Sequence, residues 1–237
     1  MVAKDGLGII IGSFIAFFLS LAVSYLLKHP LTYGISAILG IFSVFNLYFF
    51  RDPDREIPKN PLSVLSPADG KITQIVRIVE PDYFGREVQR ISIFLSVFNV
   101  HVNRVPIAGK VDYFAYRTGK FLAAFKEDAS HANEQTVIGM MDQQGHKVLF
   151  KQIAGLIARR IICNLKEGQW IESGERMGLI RYGSRVDVFL TDDAKILVKE
   201  GSNVKGGQTV LATFSTPIEK SVKEETLTIM PQPETSA

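Results

Sequence analysis

The sequence predicts a mainly β soluble domain of the α+β class, preceded by an N-terminal hairpin of two membrane helices. Two observations predict this fold class. Two stretches, 7–27 and 31–50, are uncharged and mostly apolar, and each is long enough to cross a bilayer, which takes ~20 residues as a helix. From residue 62 onward the apolar runs are short, rich in Val, Ile and Phe, and separated by Gly or Pro turns, which is typical of strands.

The helical hairpin comprises residues 1–50. A secretory signal peptide competes for its first stretch, but a signal's apolar region is usually shorter, and here a second stretch follows almost at once. Lys4 precedes the first helix and Arg51, Arg55 and Lys59 follow the second, whereas the turn carries Lys28. The positive-inside rule then predicts a cell-membrane protein whose main domain lies on the cytoplasmic side. A re-entrant hairpin that dips into one leaflet stays open, because Gly and Ser interrupt the apolar stretches.

Charge and proline mark residues 51–61 as a linker, and the β-rich main domain is expected to cover 62–214. Strands are predicted at residues 71–79, 88–95, 109–116, 137–141 and 147–153, with one helix around residues 120–129. The polar segment 215–237 is expected to be a mobile tail.

A weak internal repeat indicates how the strands are arranged. The Lys-Glu-Gly sequence at 166–168, followed by Gly174, recurs 33 positions later at 199–201, followed by Gly207. Such half-repeats resemble those of biotinyl and lipoyl carrier domains, where a Gly turn leads one short strand into the next. The Met-Lys-Met hairpin of those carriers is absent from this sequence. The repeat therefore predicts a β-sandwich with carrier-like Gly turns more than a carrier function.

Charge and the scarcity of metal-binding side chains exclude several classes of function. The formal net charge is +3, without a basic stripe interleaved with aromatics, which suits contact with anionic lipid better than nucleic acid. Cys163 is the single cysteine, so disulfides within the chain are excluded. His101, His131 and His146 are scattered without zinc-ligand spacing, and we predict no metal site.

Three residues are weak candidates when each is taken alone. Alternation along its strand puts His101 among polar neighbours, where a structural histidine is more common than a catalytic one. Asp69 stands in a Ser-Pro-Ala-Asp-Gly turn, and Ser184 follows Gly183 in a Gly-Ser pair, so both have plain roles as turn residues.

Their combination with the surrounding runs is specific. The segments 66–70, 91–106, 133–134, 153–161 and 174–187 occur in one fixed order, and the last of them reads GERMGLIRYGSRVD. From about residue 49 to residue 212 the chain resembles phosphatidylserine decarboxylase, in the short form that carries an N-terminal membrane hairpin.

The resemblance implies a pyruvoyl enzyme that cleaves itself between Gly183 and Ser184. Residues 1–183 would become a β chain and residues 184–237 an α chain, paired as a heterodimer. Ser184 would become a covalent pyruvoyl group, the only cofactor, which forms a Schiff base with the serine amine of phosphatidylserine and assists loss of CO₂ to give phosphatidylethanolamine. His101 would act as the base and Asp69 as its orienting partner.

Two further points complete the expectations. Arg159 and Arg160 could contact the phosphate of the lipid, which guanidinium groups bind well, or could simply be solvated. A non-enzymatic, membrane-tethered β-sandwich adaptor or carrier-like binding module is the main alternative, and it predicts an uncut chain. A membrane serine hydrolase using Ser184 is a second alternative, although the Gly-x-Ser-x-Gly elbow of common hydrolases is absent.

Overall fold

Two long helices form the N-terminal hairpin. In the computed structural model, which describes residues 1–124, 128–156 and 160–215, helix α1 covers Leu7–Leu27 and helix α2 covers Pro30–Phe49. Lys28 ends α1 in the left-handed conformation, and Pro30 occupies the first turn of α2, where its missing N–H costs nothing. By length and composition both helices could cross a membrane, and the predicted hairpin is confirmed as a structural element.

Strands make up most of the remaining described chain. A short helix of four residues, α3, covers Ala129–Ala132. The strands are β1 Ser63–Leu65, β2 Gly70–Glu80, β3 Arg86–Leu95, β4 Val102–Arg104, β5 Gly109–Arg117, β6 Gln135–Met141, β7 Lys147–Ile153, β8 Ile161–Cys163, β9 Trp170–Ile171, β10 Arg176–Ile180, β11 Ser184–Leu190, β12 Ala194–Ile196, β13 Asn203–Val204 and β14 Val210–Phe214. The prediction of a mainly β domain behind a helical hairpin is therefore confirmed.

The strands form one large sheet and two small ones. The large sheet has eight strands in the order β13-β2-β3-β11-β7-β6-β5-β9, and the small sheets are β1-β14-β12 and β4-β10-β8. Apolar side chains from all three sheets share one core, which includes Ile93 of β3, Val186 of β11, Met177 of β10 and Leu211 of β14. Strand β11 thus runs through the middle of the large sheet, between β3 and β7.

The internal repeat has matching geometry in its two halves. Gly168 and Gly201 have φ values of 85° and 84°, and Gly174 and Gly207 have φ values of 76° and 74°. These left-handed conformations need glycine, because a side chain there would be strained. The first turn leads into β9 at one edge of the large sheet, and the second leads into β13 at the opposite edge.

The five predicted strands correspond to β2, β3, β5, β6 and β7, but the helix predicted around residues 120–129 is wrong for the part that is described. Lys120 is instead tied to the end of α3, because its N–H donates to the Ala132 carbonyl over 2.7 Å and its carbonyl accepts from Glu134 N–H over 3.0 Å. Residues 125–127 lie outside the described ranges. The predicted mobile tail also lies outside them from residue 216 onward.

The foot of the hairpin packs onto the β-rich body. Ala3 N–H donates to the carbonyl of Phe50 over 2.8 Å, which closes the base of the two helices. Phe49 and Phe50 are buried against Val102 of β4 and Leu179 of β10. The last turn of α2 therefore touches the small β4-β10-β8 sheet and the loops beside it.

Candidate active site

The segment before β11 has an unusual backbone. Tyr182 has φ 61° and Gly183 has φ 89°, so two consecutive left-handed residues lead directly into Ser184. Lys28 and Tyr182 are the non-glycine residues with positive φ in the part of the chain that the structure describes. A tyrosine in this conformation stores roughly 1–2 kcal/mol of backbone strain. The strain is located next to the Gly183–Ser184 peptide bond.

Ser184 is fully buried and its hydroxyl is not hydrogen-bonded. It pairs with Leu95 as the first residue of β11 and has 0% of its surface exposed. Within the described residues, Ser184 Oγ has no hydrogen-bond partner. A buried hydroxyl without a hydrogen bond lowers the stability of the folded protein by about 1–3 kcal/mol. Its position beside a strained turn therefore indicates a functional role. A hydroxyl left free in this way can turn toward a neighbouring carbonyl carbon.

His101 lies against the same peptide segment. Its Nε2 accepts a hydrogen bond from Gly183 N–H over 3.3 Å, and its Nδ1 lies 3.0 Å from the carbonyl oxygen of Asn99. Because Nε2 accepts, the proton of the neutral ring belongs on Nδ1, which then donates to Asn99 O. The contacts therefore leave a lone pair on the nitrogen that faces the Gly-Ser segment.

Burial keeps His101 neutral. The residue is 1% exposed, and its ring lies 4.0 Å, centroid to centroid, from that of Phe49. Loss of solvation lowers the pKa of His101 to about 4; the Asn99 carbonyl opposes this shift, and the nearby positive charge of Arg51 adds to it. At neutral pH the imidazole is therefore unprotonated and able to accept a proton.

Asp69 lies in a different set of contacts. Its carboxylate accepts two hydrogen bonds from Arg55, the shorter over 2.8 Å, and a third from Gly206 N–H over 2.7 Å. The acceptor on Nδ1 of His101 is the Asn99 carbonyl and not this carboxylate. The structure thus brings Ser184, Gly183 and His101 together, while the role of Asp69 as orienting partner stays a prediction.

A small apolar cavity opens beside the Gly183 backbone. Its volume is about 190 Å³. Its wall is formed by short segments from four loops or strand ends: Phe94, Leu95, Ser96 and Val97; Ala123 and Ala124; Gly155 and Leu156; and Tyr182 and Gly183. Because the cavity reaches Gly183, a bound molecule in it would lie against the Gly-Ser segment.

Gly155 belongs to the site, although it was not singled out from the sequence. A Cβ built on Gly155 would lie 2.7 Å from the carbonyl oxygen of Gly183, which is closer than real Cβ contacts. Asn133 fixes the adjacent segment, since its Nδ2 donates to the carbonyl of Ala154 over 2.8 Å. The available signal was the Ala-Gly pair in the segment 153–161, which the resemblance had already marked.

Of the two arginines predicted to contact the lipid phosphate, the structure describes one. Arg159 lies outside the described residues. Arg160 is exposed, and its carbonyl accepts a hydrogen bond from Arg181 N–H over 3.2 Å. No group of three or more His, Cys, Asp or Glu side chains that could hold a metal ion occurs in the described ranges.

The last turn of the helical hairpin lies against the site. The Phe49 ring lies between those of His101 and Tyr182, at centroid distances of 4.0 Å and 4.8 Å. Asn46 Oδ1 accepts a hydrogen bond from the Tyr182 hydroxyl over 3.0 Å. Sequence reasoning missed this contact, because it treated the hairpin only as an anchor.

Comparison with known proteins assigns the chain to a family. The family model described as phosphatidylserine decarboxylase matches residues 42–212, which include the last two turns of α2, the strained turn and β11. The chain belongs to the phosphatidylserine decarboxylase family. The resemblance drawn from the sequence motifs is confirmed.

Several relatives in the phosphatidylserine decarboxylase family match over most of their length, and each is named phosphatidylserine decarboxylase proenzyme. The protein of Desulfotalea psychrophila is 48% identical over 174 residues, 73% of this chain and 81% of that protein. That of Symbiobacterium thermophilum is 42% identical over 198 residues, 84% and 91% of the two chains. That of the Wolbachia of Brugia malayi is 41% identical over 216 residues, 90% of each chain.

Proposed function

We propose that this chain is a phosphatidylserine decarboxylase that matures by cutting itself between Gly183 and Ser184. One observation carries the proposal. A strained Tyr182–Gly183 turn leads into a buried serine with a free hydroxyl, and a neutral His101 lies 3.3 Å from the Gly183 nitrogen. The names of the relatives add support, since a proenzyme is a precursor that requires processing.

The first step of maturation follows from this arrangement. His101 takes the proton of the Ser184 hydroxyl, and Oγ attacks the carbonyl carbon of Gly183. The C–N bond of the peptide then breaks, its nitrogen takes a proton, and an ester joins Gly183 to the Ser184 oxygen. Breaking this bond releases the strain of the turn, which favours the shift. His101 Nε2 must turn from Gly183 N–H to Ser184 Oγ, a small adjustment of the kind common before a reactive complex forms.

The later steps convert Ser184 into the reactive group. Loss of the Cα proton of Ser184 with cleavage of its Cβ–Oγ bond leaves Gly183 as a free carboxylate and residue 184 as dehydroalanine. Addition of water releases ammonia and leaves a pyruvoyl group at the start of the α chain. Such a group supplies an electrophilic carbonyl that can withdraw charge from a decarboxylating amine substrate. The site fits it, because residue 184 begins a buried strand and the cavity adjoins the residue before it.

The two products of cleavage would stay together as a heterodimer. Strand β11, which would belong to the α chain, pairs with β3 along Ser184–Leu190 and with β7 on its other side. Strand β14 of the same chain pairs with β1, and β13 pairs with β2. The α chain 184–237 would therefore stay bound to the β chain 1–183 by sheet hydrogen bonds.

The position of the hairpin supports a lipid substrate taken from the membrane. The foot of α2 contacts His101 and Tyr182 directly, so the site lies where the helices leave the apolar layer. We propose that the β-rich domain lies on the cytoplasmic side and that Arg159 and Arg160 bind the phosphate of the lipid. In this proposal the membrane anchors the protein through the hairpin and also supplies the phosphatidylserine substrate.

Intact-mass analysis of the protein purified from its own cells tests the proposal. We expect two chains, residues 1–183 and 184–237, with the smaller blocked at its N-terminus by pyruvate, and release of CO₂ from phosphatidylserine vesicles. Ser184→Ala should leave one uncut, inactive chain, whereas Ser202→Ala, a matched change at a half-buried serine whose carbonyl accepts from Ile72 N–H, should process normally. An uncut wild-type chain would instead favour the membrane-tethered adaptor. A free amine on the smaller chain would favour the serine hydrolase.

A further inference from the structure

The membrane hairpin carries a polar side chain where it meets the strained turn. Asn46 stands in the last turn of α2 and is fully buried, although the rest of this helix is mostly apolar. A buried amide at the edge of a membrane helix is costly, so its contacts mark a function more often than an accident. Its Oδ1 accepts the Tyr182 hydroxyl over 3.0 Å, while its Nδ2 has no partner within the described residues.

We propose that Asn46 is a positioning residue for self-cleavage, which it promotes by holding Tyr182 in the strained conformation that precedes Gly183 and Ser184. The inference rests on the proposed function. It makes the hairpin a working part of the processing site, in addition to its role as an anchor. It also links the folding of a membrane element to the maturation of the enzyme.

Tyr182 is held at both ends of its side chain. Its ring packs against Phe49 at 4.8 Å and against Phe50 at 6.3 Å, and its hydroxyl ends on Asn46. Burial raises the pKa of Tyr182, so the hydroxyl keeps the proton that it donates. A tyrosine in the left-handed conformation returns to a relaxed one unless its surroundings prevent this. The contacts with the end of α2 and with Phe50 hold Tyr182 in place.

The helix does not need Asn46 in order to dock. Tyr48 Oη donates to the carbonyl of Phe98 over 3.1 Å, and Arg51 Nη2 donates to the same oxygen over 2.7 Å. These contacts fasten the end of α2 to the loop before β4 without touching Tyr182. A test can therefore separate the general attachment of the helix from the specific hold on the turn.

Pulse-chase measurement of self-cleavage tests the proposal on the full chain, synthesised in the presence of lipid membranes. Asn46→Leu and Tyr182→Phe should each slow cleavage about fivefold, which corresponds to about 1 kcal/mol for one hydrogen bond. The double variant should be no slower than the slower single one, since both changes remove the same bond. Asn46→Asp keeps an oxygen acceptor in place and should recover most of the rate, which a merely structural role would not require.

Tyr48→Phe is the matched control. It removes one helix-to-domain hydrogen bond, leaves Arg51 on the same carbonyl, and should process within twofold of wild type, by an order-of-magnitude criterion. Thermal unfolding in the uncleavable Ser184→Ala background checks that each variant folds. If Asn46→Leu fails to fold, the cleavage rate of Tyr182→Phe tests the proposal instead.

The outcomes separate the two proposals. Wild-type cleavage rates for Tyr182→Phe, or a double variant slowed by the product of both single effects, would overturn the inference while the proposed function stands. A wild-type chain that is never cut would overturn the proposed function first.

Discussion

The pH dependence of self-cleavage follows from the buried state of His101. Burial lowers the pKa of this residue from the usual 6.5 to about 4. If His101 is the base, cleavage requires its neutral form. At pH 5 about 0.9 of the imidazole is neutral with a pKa of about 4, whereas about 0.03 would be neutral with a pKa of 6.5. The structure therefore predicts that cleavage at pH 5 is nearly as fast as at pH 7, about 30-fold faster than a solvated histidine would allow.

A pulse-chase experiment with a pH jump measures this directly. The chain is synthesised briefly at neutral pH with lipid membranes, synthesis is stopped, and samples are chased between pH 4 and pH 8. His101→Ala reports the rate that remains without the base. A rate that falls tenfold or more between pH 7 and pH 5 with a midpoint near 6.5 would refute the reasoning, because the base would then be a solvated group.

The same pKa shift makes a prediction about stability with a definite sign. Because the folded pKa of His101 lies below the unfolded one, the folded state resists protonation. The associated stability is complete above pH 6.5, decreases as the pH falls, and is lost by about pH 4. The shift is equivalent to about 3 kcal/mol. Denaturant unfolding of Ser184→Ala, compared with the same chain carrying His101→Asn, should show this loss in the first protein alone.

Other perturbations give separate tests. Gly155→Ala places a methyl 2.7 Å from the carbonyl oxygen of Gly183, and we expect mass analysis to show a folded chain that is cut at least tenfold more slowly, to order of magnitude; normal cutting would remove Gly155 from the site. Asp69→Asn removes the charge from a partly buried ion pair with Arg55 and should lower the free energy of unfolding by about 1–3 kcal/mol in denaturant titration. If Asp69 acts through this ion pair, Arg55→Met and Asp69→Asn should slow self-cleavage by the same factor. If Asp69 instead orients His101, Asp69→Asn should slow self-cleavage and Arg55→Met should leave its rate unchanged. Phe49→Ala removes a fully buried ring and should cost about 3–5 kcal/mol of stability in calorimetry as well as slow cleavage; an unchanged melting temperature would contradict the packing.

The parts of the fold that depend on local sequence were predictable. The five predicted strands match β2, β3, β5, β6 and β7 closely, because alternating apolar residues bounded by Gly or Pro determine both the face and the end of a strand. The paired turns at Gly168 and Gly201 were visible as a repeat because only glycine fits their φ values. The two hairpin helices were predictable from length and composition alone.

The parts that depend on contacts between distant residues were not. The family resemblance implies Asp69 as the orienting partner of His101, and this stays a prediction, since in the structure Nδ1 of His101 lies on the carbonyl of Asn99 while Asp69 binds Arg55. A backbone carbonyl is present at every position and leaves no mark in the sequence. For the same reason the proximity of Gly155 to the Gly183 oxygen could be recognised only after folding brought the two loops together.

Cleavage as proposed would also change what His101 can do. Before the cut, its Nε2 is occupied by Gly183 N–H, and the Gly183 backbone is fixed between the strained turn and β11. The cut turns Gly183 into a chain end that is no longer tied to β11, so the contact that holds Nε2 loses its constraint. Nδ1 keeps its carbonyl partner, and the ring keeps its packing on Phe49. Nε2 would then be free to take up a proton and pass it to a substrate, so that one residue would serve first in maturation and afterwards in turnover.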